Sequence, residues 1–213
     1  MRTEMLDAYD EPAIERALEL LRAGELVAFP TDTVYGVGAD ATSEAAVEKL
    51  FVAKVRPASK PIALLVAPEQ DLGVVASEVP AGVAELGPRF WPGGLTIILR
   101  RSAEVPDAVT VGSPTVGVRV PNHPVALRLL RELGRPLATT SANLSGQASP
   151  TTGDEVFRQL SGRIPLVLDG GRCPGGVEST VLDLTTPRPL IRRLGAISRE
   201  ALEEALGMPV DLA

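Results

Sequence analysis

Lys54-Val55-Arg56-Pro57-Ala58-Ser59-Lys60-Pro61 is the junction on which the reading of this chain turns. Upstream, Ser43 stands where it caps a helix running from Glu44 to about Val55. Downstream, Ile62 to Val66 is a short apolar strand. A helix passed to a strand through a stiff loop is a unit of α/β architecture. The same stretch concentrates charge. Only three of the 21 basic residues are lysines; two fall in this heptad, and Lys49 lies just upstream. No acidic residue occurs between Glu48 and Glu69, although the chain is net −6. Cations at a helix C-terminus meet the dipole favourably, which accounts for Lys54 and Arg56 but not for Lys60 beyond the proline. A basic, proline-stiffened island in an acidic protein reads as a site for an anion, with phosphate the first candidate.

The surroundings bound the answer. A chain of 213 residues with 45% apolar content buries one sizeable core, so a single domain over residues 1–213 is expected. A pI near 5.0 argues against nucleic-acid binding by bulk charge, and 3% aromatics against a base-stacking platform. Cys173 is the only cysteine and offers no disulfide framework. No apolar run reaches membrane-spanning length and Met1-Arg2-Thr3-Glu4 lacks a signal-peptide core, so a soluble, cytoplasmic protein with no membrane partner is expected.

Moving outward from the junction, helical spacing of Ile14, Leu18 and Leu21 predicts a helix from about Glu11 to Ala23, capped by Asp10 and stopped by Gly24. Leu26 to Phe29 reads as a buried strand ending at Pro30, followed by Thr31-Asp32-Thr33 and the glycine-bearing Val34 to Gly38. Beyond the junction, strands are expected at Leu95–Leu99, Val116–Val120, Leu137–Thr140, Ile164–Leu168, Ser179–Leu184 and Leu190–Arg193. Helices are expected at Ala81–Leu86, Pro124–Leu133 and Gly153–Leu160, with a last one capped by Ser198 and ending near Gly207. This order implies an α/β fold with a mixed sheet. Charge is segregated along it: from Ala108 to Gly153 only Glu132 is acidic. Converging strand exits from such segments would form a neutral-to-basic cleft.

Four loops carry candidate chemistry, each beside a plain alternative. Pro30-Thr31-Asp32-Thr33-Val34-Tyr35-Gly36 offers hydroxyls after a buried strand, or an ordinary turn with Asp32 bonding backbone. The basic heptad is the second. Thr139-Thr140-Ser141-Ala142-Asn143, followed by Ser145, Gly146 and Ser149, resembles a phosphate-cradling loop, or a helix cap. Glu178-Ser179-Thr180-Val181, with Arg193 on the next strand, reads by itself as a hairpin. There is no P-loop, no nucleophile elbow, and too few His and Cys for a zinc site. His123, between Asn122 and Pro124, reads as a capping or structural residue rather than a general base. The inventory favours chemistry by positioning and charge neutralisation over a protein nucleophile.

Together and in this order, these pieces resemble the threonylcarbamoyl-AMP synthase family with its YrdC-like fold. The carrying residues are Pro30 to Gly36, Lys54-Val55-Arg56 through Lys60-Pro61, Val118-Arg119-Val120-Pro121, Ser141-Ala142-Asn143 and Ser179-Thr180-Val181. The resemblance implies a twisted mixed α/β sheet with flanking helices around a large basic cavity. It implies that L-threonine, bicarbonate and ATP give threonylcarbamoyl-adenylate and pyrophosphate. Mg²⁺ would accompany ATP, with no metal held by the protein itself. Downstream threonylcarbamoyl-transferase proteins would then modify tRNA. In roles, it implies threonine contacts from Thr33 and Ser179, and a phosphate clamp of Lys54, Arg56 and Lys60, the first two catalytic. Arg119, Thr140, Ser141, Asn143, Ser149 and Arg193 would line the nucleotide site.

Two positions depart from the family pattern. Leu65 stands where some members carry a histidine, and Arg193-Leu194-Gly195 replaces the usual Arg-Pro-Gly. A chain ending at Ala213 resembles the short, single-domain form. An RNA-binding or ribosome-maturation module using the same cavity is the alternative, with overall acidity against it. A carbamoyl-adenylate enzyme of the hydrogenase-maturation type is a further one, its domain normally part of a much longer protein.

Overall fold

The computed structural model covers Met1–Ala213. Twelve strands form one mixed sheet: β1 (Glu4–Asp7), β2 (Val27–Phe29), β3 (Gly36–Asp40), β4 (Ala63–Leu65), β5 (Ala76–Glu78), β6 (Leu95–Arg101), β7 (Thr115–Arg119), β8 (Leu137–Ser141), β9 (Leu166–Asp169), β10 (Thr180–Asp183), β11 (Leu190–Arg193) and β12 (Asp211–Leu212). Their spatial order is β1-β9-β2-β3-β8-β4-β7-β6-β10-β11-β12, with β5 paired to β6. Parallel and antiparallel pairs alternate irregularly, as in β2–β9 against β2–β3. Seven helices flank the sheet: α1 (Glu11–Arg22), α2 (Glu44–Lys54), α3 (Ala81–Phe90), α4 (Asp107–Thr110), α5 (Pro124–Leu133), α6 (Gly153–Leu160) and α7 (Arg199–Leu206). None is long and apolar enough to cross a membrane.

Local signals set most of these helices. Ser43 accepts from the Ala46 amide to start α2, Ser198 from Ala201 to start α7, and Thr152 with Glu155 forms a reciprocal capping box on α6. His123 opens α5 with Nδ1 accepting from the Val125 amide, and Gly134 closes it in the left-handed region. Asp10 sits at the start of α1, but its backbone carbonyl rather than its side chain takes the first amides. α3 runs past the expected end at Leu86 to Phe90, carrying Pro88 in its last turn.

Side-chain alternation divides the sheet into two faces. Val27 and Phe29, Leu65, Leu137, and Leu166 and Leu168 pack against α1 and α5. Their neighbours Ala28, Leu64, Ala138 and Val167 face the opposite side, where α2, α3, α4, α6 and α7 cover the larger core. On β6, β7 and β10 this second face holds Leu95, Ile97, Leu99, Val116, Val118 and Leu182. The α1–α5 layer does not extend over those strands. Their first face, with Thr96, Ile98, Gly117, Arg119 and Val181, is left open as the floor of a cleft.

The glycines of β3 have a specific neighbour. A Cβ on Gly38 would lie 3.0 Å from Phe29 Cε1 and 3.1 Å from Thr139 Oγ1, so the Phe29 ring lies across the bare backbone. Gly38→Ala should therefore lower stability by about 1–3 kcal/mol through overpacking. Adding Phe29→Leu to that variant should recover part of the loss in urea unfolding. Simple additivity of the two penalties would show that the ring is not the obstacle.

Candidate active site

The cleft encloses about 340 Å³ and opens at the ends of strands β3, β4, β7, β8 and β10. Its floor is made of small or short side chains: Gly36, Ala63, Gly117, Thr96 and Thr139. The charged groups in its lining are Arg56, Arg119 and Arg193, with Glu178 the single carboxylate.

The floor is anchored by the connector after β2. Thr31 Oγ1 donates to the Val34 carbonyl at 2.6 Å and lies 3.0 Å from Thr33 Oγ1. Arg119, at the end of β7, donates to Thr33 Oγ1 (2.9 Å), the Gly93 carbonyl (2.9 Å) and Asp32 Oδ1 (2.5 Å). Asp32 Oδ1 also accepts from the Asn122 amide at 2.9 Å. Asp32 is thus more than a turn residue: it is the counter-ion of a guanidinium only 7% exposed. Burial pulls the Arg119 pKa down and Asp32 opposes that pull. Over this connector folds the segment after β9. Gly175 and Gly176 amides donate to the Asp32 and Thr33 carbonyls at 3.0 and 2.8 Å. The Tyr35 hydroxyl donates to the Gly171 carbonyl at 2.7 Å. A Cβ on Gly175 would lie 2.6 Å from the Asp32 oxygen, so only glycine fits there.

The basic heptad divides. Lys54, the last residue of α2, is 1% exposed and is not among the residues that line the cleft. It donates to the carbonyl of Ser141, to that of Asn143 at 2.6 Å, and to Asn143 Oδ1 at 3.1 Å. Burial drives its pKa down to about 7, Arg56 pushes the same way, and Glu178 opposes. Lys54 therefore holds the Ser141–Asn143 loop and does not line the cleft. Val55 turns the chain with a left-handed backbone at φ 52°. Arg56 then faces the cleft, with Nε donating to the Lys60 carbonyl (3.1 Å) and Nη2 to that of Pro61 (2.8 Å). Lys60 is exposed and does not line the cleft.

Of the other expected site residues, Thr33, Thr140, Ser141, Ser179 and Arg193 line the cleft with Arg56 and Arg119. Asn143 does not; it is spent inside its loop, with Oδ1 accepting from Lys54 and Ser141 and Nδ2 donating to the Leu144 and Gln147 carbonyls. Ser149 reaches the site through Glu178, to which its hydroxyl donates. Leu65 lies in the lining. Sequence reasoning did not assign Thr31, Thr96 or Glu178. Thr31 and Glu178 stand inside motifs already singled out. Thr96 carries no local signal, being a hydroxyl in an apolar strand.

A guanidinium carries five N–H groups, which measures how open each arginine is to a ligand. Arg119 and Arg193 commit most of theirs to the protein, Arg193 to Glu178, the Ser179 carbonyl and Ser179 Oγ. Arg56 commits only two and is the cation best placed for an incoming anion. No side chain is arranged as a nucleophile. Burial pushes the Cys173 thiol up to about 11, and His123 is occupied as a helix cap.

Lys54 yields a pH test. An unfolded chain keeps a lysine protonated to about 10.4, whereas the fold releases this proton near 7. Between those values the unfolded state holds the extra proton, so the residue's contribution to stability rises with pH. Wild type should gain on Lys54→Met in denaturant unfolding as pH increases through that window. A difference that stays flat across the window would mean that the three oxygens keep the ammonium charged.

Comparison with known proteins places this geometry. A family profile, Sua5–YciO–YrdC, described as "Telomere recombination", matches residues 19–195. A threonylcarbamoyl-AMP synthase of Pyrococcus abyssi is 45% identical over 198 residues, covering 93% of this chain and 58% of that protein. The crystal structure of P. abyssi Sua5 complexed with L-threonine matches with a TM-score of 0.94 at 42% identity, over 98% of this chain and 62% of that one. The crystal structure of E. coli YciO matches with a TM-score of 0.83 at 26% identity, over 94% and 99% of the two chains. The chain spans less than two thirds of the length of the P. abyssi relative.

Proposed function

The chain belongs to the Sua5–YciO–YrdC family, and on that premise we propose that it is a threonylcarbamoyl-AMP synthase. It condenses L-threonine, bicarbonate and ATP into threonylcarbamoyl-adenylate and pyrophosphate, and supplies a transferase that modifies tRNA. One observation carries this reading: hydroxyls for a small polar substrate and a half-open guanidinium for phosphate share one cleft. The hydroxyls are those of Thr33, Thr96 and Ser179, and the guanidinium is that of Arg56.

In the reaction, the threonine amine forms a C–N bond to the bicarbonate carbon, with loss of water. A carbamate oxygen then attacks the α-phosphorus of ATP, and the bond to pyrophosphate breaks. Neither step needs a protein nucleophile, which suits a site whose cysteine is held protonated and whose histidine is a cap. ATP enters as its Mg²⁺ complex. Arg56 and, from the exposed end of the same loop, Lys60 meet the triphosphate as charge builds on the leaving pyrophosphate. Thr140 and Ser141 contact the nucleotide. Lys54 and Asn143 act behind them by holding the loop that presents Ser141. Thr33 and Ser179 contact threonine. Arg119, pinned between Asp32 and Thr33, sets the place of the Thr33 hydroxyl.

Pyrophosphate release from ATP, with threonine and bicarbonate omitted in turn, tests this. Release should need both, and a new adenylate should appear on chromatography. Arg56→Ala should cut kcat/KM for ATP by about 10²–10³ with little change in melting temperature. Release that ignores threonine would identify a different reaction.

A further inference from the structure

We propose that Glu178 is a positioning residue for the amino-acid side of the cleft: through Arg193 it keeps Ser179 Oγ an acceptor on that side, so that the Ser179–Thr96 pair turns its free O–H to the cleft. The inference rests on the reading above, in which Ser179 contacts threonine.

Glu178 is the one carboxylate in a lining that carries three guanidinium groups. One of its oxygens accepts from the Ser149 hydroxyl, the other from Arg193 Nη1. Its backbone is fixed independently of its side chain. The Glu178 carbonyl accepts from the Ala196 amide at 2.9 Å, and a Cβ on Gly195 would lie 2.2 Å from that oxygen. The carboxylate therefore projects from a rigid base and holds Arg193 by one edge. The rest of the guanidinium is laid along the next residue. Nε and Nη2 donate to the Ser179 carbonyl at 3.1 and 2.9 Å, and Nη2 also to Ser179 Oγ at 3.2 Å.

The consequence follows from which groups can donate. A guanidinium has donors only, so Ser179 Oγ accepts from Arg193 and its own proton must point elsewhere. Its hydroxyl lies 2.8 Å from Thr96 Oγ1, so one of the two hydroxyls donates to the other. If Ser179 donates, the Thr96 proton is left over; if Thr96 donates, the Ser179 proton is. In either arrangement one O–H remains for the cleft that both residues line. A hydroxyl donor suits the carboxylate of an amino acid. Without Glu178, Arg193 keeps only its bonds to Ser179, and its Nη1 edge is drawn to whichever anion enters. Ser179 Oγ is then held less firmly as an acceptor.

The test separates positioning from mere folding. In Glu178→Ala, KM for L-threonine should rise about tenfold or more, and by clearly more than KM for ATP. Glu178→Gln, which keeps an oxygen for Arg193, should recover most of that loss. Calorimetric titration with L-threonine should show the same order of affinities without turnover. An unchanged threonine KM in Glu178→Ala overturns the inference, as does an equal rise for both substrates accompanied by a lower melting temperature. If wild type binds no threonine, the proposed function falls, and the positioning is still decided by the Arg193 Nε–Hε resonance. A shift of that signal in Glu178→Ala supports the positioning, and an unmoved signal overturns it.

Discussion

The buried pair between Asp32 and Arg119 is the contact on which the cleft depends. It joins the connector after β2 to the far end of β7, across the open face of the sheet. Burying a guanidinium is costly unless its donors find acceptors, and here Asp32, Thr33 and the Gly93 carbonyl supply them. Removing one partner of such a pair leaves an uncompensated buried charge, a loss on the order of 3–5 kcal/mol. The pair adds little net stability compared with an apolar filling of the same space. What it specifies is geometry: the Asp32 carboxylate also takes the Asn122 amide, so one carboxyl group fixes the start of the turn into α5 and the height of Thr33.

A second constraint is the division of labour among the cations. A cluster of like charges near an anion site is usually read as a set of equal contributors. The structure ranks them by how many donors the protein has already claimed. Lys54 gives its ammonium to carbonyl and amide oxygens and stiffens the loop that carries Ser141. Arg119 and Arg193 are frame members whose charge still reaches the cleft. Arg56 is the half-open member, secured to its own loop through Lys60 and Pro61. Since a guanidinium in low dielectric acts on charge that develops later, a frame arginine still contributes without touching the ligand.

Elements with local signals were readable from the chain. The bounds of α5, α6 and β11 match those expected from the chain, with His123 and Pro124 at the start of α5. Elements whose pairing comes from a distant partner were not. β1 lies at the sheet edge beside β9, and its Glu4–Asp7 stretch has no apolar face to announce it. β5 and β12, of three and two residues, are shorter still, and each is held by the strand next to it in chain order, β6 and β11, across an intervening helix. The four loops that read as weak motifs converge on one cleft, which spacing alone does not guarantee. The resemblance groups Lys54 with Arg56 and Lys60 as one clamp, whereas in the fold Lys54 is buried against the Ser141–Asn143 loop and Arg56 lines the cleft. Val55, in the left-handed region, separates the two residues. Thr96 became visible only once the sheet showed which of its faces the α1–α5 layer leaves bare.

That bare face has a consequence for how such a site changes. Its depth comes from side chains that are absent: Gly36, Ala63 and Gly117 leave backbone exposed where a larger strand residue would fill the space. A Cβ on Gly117 would already stand 3.2 Å from the Thr96 methyl and 3.5 Å from that of Ala63. The size of what the cleft can hold is therefore written as volume withheld from the sheet, and single methyl groups are its unit of adjustment. Strand positions of this kind are tightly held by their ladders, so the size filter is as rigid as the fold itself. Drift in the loops above can alter which groups greet the ligand without altering how large a ligand fits.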